Sequence, residues 1–190
     1  MAKIKICGLR RVEDINYVNE LEPDYIGFIL SDGFKRSITR EQAILLKSKL
    51  STGITAVGVF VDENEEYINS FIDEGIIDIA QLHGNEPPEL AEKINSKVIK
   101  YFNPLTFDKI NEYNADYFLF DSGTGTGKGF DWNEIPKTDK PFFLAGGINE
   151  DNIKNAIELV NPYCIDLSSA VETDGFKDYN KIKRIMECVR

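Results

Sequence analysis

A chain of 190 residues, 42% hydrophobic and 28% charged, has enough apolar material for a sizeable core and is not disordered by composition. Its net charge of -10 excludes broad binding to a nucleic-acid backbone, because no basic excess exists to displace counterions. Three widely spaced cysteines and one histidine argue against a zinc site and for free thiols in a reducing compartment.

Short apolar runs alternate with helix-like segments along the whole chain. Lys3–Cys7 reads as a first strand, and Val12, Ile15, Val18 and Leu21 mark one face of a helix behind it. Tyr25–Leu30 is a second strand, followed by a helix over Thr39–Leu50 with Thr39 as N-cap. Ala56–Val61 and a helix over Asn64–Glu74 form the third unit. Ile77–Leu82 and a helix over Glu86–Asn95, opened by Pro87 and Pro88, form the fourth.

Val98–Phe102 is a fifth strand, with a shorter helix over Thr106–Asn114. Tyr117–Phe120 is the sixth, and only Asp131–Ile135 is left for its helix, which must be short or vestigial. Pro141–Ala145 is the seventh strand; Asn149 can cap a helix carrying Ile153, Ala156, Ile157 and Val160. Tyr163–Leu167 is the eighth strand, and Tyr179–Val189 closes the chain as a helix.

Strict alternation implies a parallel sheet. The absence of a linker makes one α/β domain over 1–190, and eight units with glycines and polar residues clustered just after the strands favour a compact (β/α)₈ TIM barrel over a doubly wound open sheet. The chain is short for such a barrel, usually about 250 residues, so its loops must be tight.

In a barrel, chemistry belongs at the C-terminal ends of the strands. The sixth strand stops at Asp121, and a loop over 122–130 with four glycines at alternate positions follows it. An acid under a glycine loop suits an enzyme that closes over its substrate; a plain surface loop is the other reading. Cys7 ends the first strand beside Gly8, where a thiolate could act as a base if its pKa is lowered; most free cysteines simply pack.

Gly146 and Gly147 after strand seven, with Ser168 and Ser169 after strand eight, look like an anion cradle, since barrels commonly hold phosphate there. Ala170-Val171-Glu172 can begin a short extra helix aimed at it. Arg36, in the loop after strand two, has the planar fork that pairs with a carboxylate. His83 is either a catalytic group or a loop anchor. Cys164 and Cys188 read as packing residues.

Together Lys5-Ile-Cys-Gly8, Lys35-Arg36, Val57-Gly-Val-Phe-Val61, Gln81-Leu-His-Gly84, Phe120-Asp121, Gly125-Thr-Gly-Lys-Gly-Phe-Asp-Trp132, Leu144-Ala-Gly-Gly-Ile148 and Asp166-Leu-Ser-Ser-Ala-Val-Glu172 resemble the phosphoribosylanthranilate isomerase family. The resemblance runs from residue 3 to about 172. It implies a TIM barrel catalysing the Amadori rearrangement of N-(5-phosphoribosyl)anthranilate in tryptophan biosynthesis, with no metal or organic cofactor. It further implies Cys7 as general base, Asp121 as general acid, Arg36 on the anthranilate carboxylate and Asp166 on the sugar. Gly146, Gly147, Ser168 and Ser169 would hold the phosphate. The family usually has glycine where this chain has Ala170, and its loop after strand six is often longer.

Opening a furanose and shifting a hydrogen needs an acid and a base on opposite sides of the mouth. Asp121 must then be partly protonated, with Asp166 the obvious like charge, and Cys7 must shift down. An epimerase-type barrel would need a metal that one histidine cannot hold, and a synthase-type barrel a catalytic lysine in a different motif. A catalytically silent metabolite-binding barrel would have lost Cys7 or Asp121. The expected partner is a small phosphorylated molecule, with no nucleic acid and no membrane. The basic start lacks the apolar core of a signal peptide, so the cytoplasm is expected, for a monomer or homodimer.

Overall fold

The structure is a computed structural model describing residues 2–122 and 130–190. Eight parallel strands close into a barrel in chain order: β1 (Lys3–Cys7), β2 (Tyr25–Ile29), β3 (Thr55–Phe60), β4 (Ile79–Leu82), β5 (Lys97–Phe102), β6 (Tyr117–Phe120), β7 (Phe142–Leu144) and β8 (Cys164–Leu167). Pairing of Lys3 with Cys164 and of Lys5 with Asp166 closes the ring between β1 and β8.

Side chains alternate across each strand. Ile4, Ile6, Ile26 and Phe28 point outward and are covered by helices α1 (Val12–Leu21), α2 (Arg40–Lys47), α3 (Glu65–Asp73), α5 (Ile153–Val160) and α6 (Tyr179–Val189). Tyr25, Val57, Ile79, Ile99, Tyr117, Leu119, Phe143 and Cys164 point inward and fill the barrel. Among the described residues no helix is long and apolar enough to cross a membrane.

The helical layer is thin over one side. The segment expected as a helix over Glu86–Asn95 is a single turn, α4 (Pro88–Ala91). The Asn69 side chain on α3 donates to the Lys93 carbonyl and accepts from Asn95 N–H, which holds the chain in turns beyond Ala91. Thr106–Asn114 contains a 3₁₀ helix over Phe107–Glu112, and after β6 only a 3₁₀ turn over Trp132–Glu134 follows, as short as expected. Aromatic rings fill the gap: Phe107 packs edge-on against Phe120, and Tyr113 against Phe102.

Two local expectations meet different fates. Thr39 caps α2 through a reciprocal pair, accepting from Gln42 N–H while the Gln42 side chain accepts from Thr39 N–H. Asn149 does not cap α5; that place falls to Asn152, while the Asn149 side chain accepts from Asp151 N–H and shapes the preceding turn. The sequence also concealed a two-stranded hairpin between β8 and α6, β9 (Glu172–Thr173) with β10 (Phe176–Lys177), because four strand residues leave no periodicity to read.

At the N-terminal end, acids immediately before even-numbered strands hold the strands before them. Asp24 accepts from Ile4 N–H at 2.9 Å, Asp78 from Ala56 N–H at 2.7 Å and Asp116 from Val98 N–H at 2.9 Å. Inside the same end, the Tyr25 and Tyr163 hydroxyls share a hydrogen bond of 2.9 Å, with Lys3 over both rings. This end is a plug.

Candidate active site

The opposite rim is built differently. Cys7 is the last inward-facing residue of β1, and its thiol rests over Gly27, its pairing partner on β2. A Cβ at Gly27 would lie 2.6 Å from Cys7 Sγ, so only glycine leaves room for the thiol as it stands. The thiol is buried, and burial pushes its pKa up despite the nearby Lys5 ammonium. This is the opposite of the downward shift expected for a base.

Below the thiol, Lys5 is wholly buried, donating to Asp166 Oδ2 at 2.7 Å and to Gln81 Oε1 at 2.9 Å. Burial opposes its charge, but Asp166 holds the ammonium above its ordinary value. Asp166 is thus an ion-paired carboxylate rather than the uncompensated like charge expected for Asp121. Its second oxygen, Oδ1, is buried and has no hydrogen-bond partner among the described residues, an acceptor at the floor of the rim.

The Lys5 bond also decides the state of His83. Because Gln81 Oε1 accepts from Lys5, its amide nitrogen faces His83 Nδ1 at 2.8 Å, which makes Nδ1 an acceptor and the ring neutral. Burial, then Lys5 and Lys100, push its pKa down to about 3. The ring stacks on Tyr101 with centroids 4.1 Å apart. His83 is therefore a neutral, buried ring held between Gln81 and Tyr101.

Asp121 stands at the end of β6, its N–H bonded to the Phe102 carbonyl and its Oδ1 accepting from Ser122 Oγ at 3.2 Å. A Cβ on Gly146 would fall 2.8 Å from that same Oδ1, and Gly146 has φ +81°. Close approach and left-handed backbone together demand glycine there. Of the glycine loop expected over this acid, residues 123–129 lie outside the described residues.

β7 and β8 are neighbours, so Gly146-Gly147 and Ser168-Ser169 adjoin on the rim. The Ser168 hydroxyl donates to the Cys7 carbonyl at 3.1 Å, tying β8 to β1. The short extra helix expected from Ala170 is a three-residue 3₁₀ turn that begins one residue earlier, over Ser169–Val171. Ala170 does not have a left-handed backbone, so its methyl introduces no strain where the family has glycine.

Arg36 reaches the rim from the β2–α2 loop with its fork already engaged: Nε and Nη2 donate to the two oxygens of Glu172 at 2.6 and 2.9 Å. Glu172 also accepts from Lys177 at 2.8 Å. Burial would raise the Glu172 pKa, but Arg36 and Lys177 hold it below the ordinary value.

Sequence reasoning missed Lys5, Gln81, Glu172 and Lys177 as parts of the rim. For Lys5 a signal existed, a lysine between isoleucines in a strand buried on both faces. Glu172 closed the motif after strand eight but was read only as part of a short helix, and Lys177 gave no signal, since it sits in a polar segment that reads as an ordinary loop.

Fold and rim together define the class: a (β/α)₈-barrel protein with titratable side chains converging at the C-terminal ends of its strands. Residues 4–188 match the family model described as N-(5'-phosphoribosyl)anthranilate (PRA) isomerase. N-(5'-phosphoribosyl)anthranilate isomerase of Caldanaerobacter subterraneus subsp. tengcongensis is 42% identical over 201 aligned positions, covering 100% of this chain and 98% of the relative.

A solved structure of monomers generated from dimeric phosphoribosylanthranilate isomerase of Thermotoga maritima superposes with TM-score 0.85 at 32% identity, covering 99% and 98% of the two chains. A phosphoribosyl anthranilate isomerase in complex with reduced 1-(o-carboxyphenylamino)-1-deoxyribulose 5-phosphate matches with TM-score 0.82 at 30% identity, over 98% and 97%. The chain belongs to the N-(5'-phosphoribosyl)anthranilate isomerase family and is an isomerase.

Proposed function

We propose that Cys7 and Asp121 move the protons in the reaction of this family, the Amadori rearrangement of N-(5-phosphoribosyl)anthranilate to 1-(2-carboxyphenylamino)-1-deoxyribulose 5-phosphate in tryptophan biosynthesis. Asp121 gives a proton to the furanose ring oxygen; the ring C–O bond breaks and the anthranilate nitrogen's lone pair forms the iminium. Cys7, as thiolate, takes the proton from C2, and those electrons flow to the iminium as an enolamine. Tautomerisation gives the ketone, and exchange with solvent restores a protonated Asp121 and an ionised Cys7. No net proton is gained or lost.

The observation that carries this reading is the placement of Cys7 and Asp121 as the last inward-facing residues of β1 and β6, with glycine left beside each to clear its reacting atoms. Two acid–base groups across one mouth supply the two proton transfers the chemistry requires. The unpartnered Oδ1 of Asp166 suits a sugar hydroxyl. The Nη1 edge of Arg36, which Glu172 leaves open, suits the anthranilate carboxylate.

The phosphate is assigned to the loops after β7 and β8, around Gly146, Gly147, Ser168 and Ser169. The test generates phosphoribosylanthranilate in situ and follows loss of its fluorescence. Turnover by the wild type but not by Cys7→Ala or Asp121→Asn supports the assignment; full turnover in either variant sinks it for that residue.

A further inference from the structure

Lys177 is a charged side chain that the isomerisation as written does not use, yet it is only 4% exposed. Its ammonium donates to the Ser168 carbonyl at 3.0 Å and to Glu172 Oε1 at 2.8 Å. Ser168 in turn donates to the Cys7 carbonyl, so Lys177 is tied through one residue to the end of β1.

The charged groups facing the Cys7 thiol come from four elements. They are Lys5 below it on β1, Asp166 on β8, Lys177 on β10 and Arg36 from the β2–α2 loop. From β2, Gly27 lies directly against the thiol. Glu172 lies between Arg36 and Lys177 and pairs with both. The cluster thus holds three cations and two carboxylates, Asp166 taken by Lys5 and Glu172 shared by the other two. Among the described residues the cluster therefore carries one more positive charge than negative, an imbalance that partial burial makes costly. A Cys7 thiolate would supply the missing anion.

The hairpin that carries Lys177 is held firmly in register. The Phe176 ring packs under the Arg10 and Arg11 guanidinium groups at 4.5 and 4.3 Å. Arg10 Nη2 donates to the Gly175 carbonyl at 2.5 Å, and Arg11 Nη2 to the Lys177 carbonyl at 3.3 Å. Both arginines follow Cys7 by a few residues, so the loop leaving the thiol itself grips the strand that brings the cation back.

We infer that Lys177 is a positioning residue for the isomerisation, holding Cys7 in its anionic, proton-accepting form, and that the β9–β10 hairpin serves to deliver it. The inference rests on the reading of Cys7 as the base. A purely structural Lys177, pinning Glu172 and the hairpin, is the competing account.

The ionisation of Cys7 separates them. The thiolate's ultraviolet absorbance is titrated with pH, and the same titration of Cys7→Ser is subtracted to remove the other cysteines and the tyrosines. In Lys177→Met the midpoint should rise by about one pH unit or more, the usual effect of losing one close opposite charge. The rising limb of the kcat–pH profile should move with it, and Lys177→Arg should restore both.

If Lys177→Met does not fold, Lys177→Gln keeps a donor for Ser168 and Glu172, Arg36 still holds Glu172, and the same upward shift is expected. A folded Lys177→Met or Lys177→Gln with lowered thermal stability and an unmoved midpoint would overturn the inference. Full turnover in Cys7→Ala would instead overturn the base assignment, and the titration reads independently of turnover.

Discussion

The two ends of this barrel solve the same problem, buried polar groups, in opposite ways. At the N-terminal end polar side chains are satisfied within the fold: Asp24, Asp78 and Asp116 take backbone N–H groups, and Tyr25 and Tyr163 share their hydroxyls. At the C-terminal rim satisfaction is incomplete. Asp166 keeps a buried oxygen with no partner among the described residues, Cys7 is a buried thiol, and Lys5, Arg36 and Lys177 share two carboxylates. Local closure stabilises a fold, whereas unmet valence is what a ligand can complete. The same residue type, aspartate, therefore reads as a strand fastener at one end and as a reactive or binding group at the other.

The largest break in that contrast comes from the proton-transfer pair. Asp121→Asn and Cys7→Ser should each lower kcat by about 10²–10⁴-fold, the worth of one positioned proton transfer, with KM changing far less. The double variant should lose less than the product of the two, because the groups serve one reaction. Steady-state kinetics on folded variants checks this, and independent, multiplicative losses would argue against a coupled pair.

Arg36→Lys comes next. It keeps the charge but cannot hold Glu172 and a ligand carboxylate on two edges at once. Loss of one charge-assisted pair, on the order of 1.5–3 kcal/mol, should raise KM roughly tenfold to a hundredfold. An unchanged KM would place the anthranilate carboxylate elsewhere.

Gly27→Ala tests the seat of the thiol without touching a reactive atom. The added methyl meets Cys7 Sγ at 2.6 Å and Cys7 Cα at 3.2 Å, so β1 and β2 must part or the thiol must turn away. Overpacking of this kind costs about 1–3 kcal/mol, read as a lower melting temperature, and turnover should fall with it. Retained turnover at reduced stability would mean that the thiol's position tolerates displacement.

The smallest effect belongs to the other end. Asp24→Ala strips Ile4 N–H of its acceptor and should cost about 1–3 kcal/mol of stability while kcat and KM stay as they are. A kinetic defect there would show that the two ends are mechanically coupled, and the contrast would need redrawing.

Much of this was legible before any coordinates. Eight apolar runs separated by helix-like segments implied a parallel sheet, and the glycines and polar residues clustered just after the strands favoured closing it. Cys7, Asp121, Arg36, His83, Asp166 and the two loop pairs were all placed near strand ends by position alone. The length of the helix after β4 was not, since side-chain bonds from Asn69 on α3 decide it across the fold.

What the sequence by itself determined was therefore the order of elements and the rim on which its chemistry-bearing residues fall, because both follow from local periodicity and strand direction. The electrical state of that rim was decided only by the tertiary structure. Lys5 and Asp166 are 161 residues apart, Arg36 and Glu172 are 136, and each pair meets only because the barrel closes. Whether a buried thiol is pushed up, a histidine kept neutral or a carboxylate paired depends on charges that distant strands bring within a few ångströms, where the Coulomb interaction and lost solvation outweigh anything a residue's own neighbours in the chain supply.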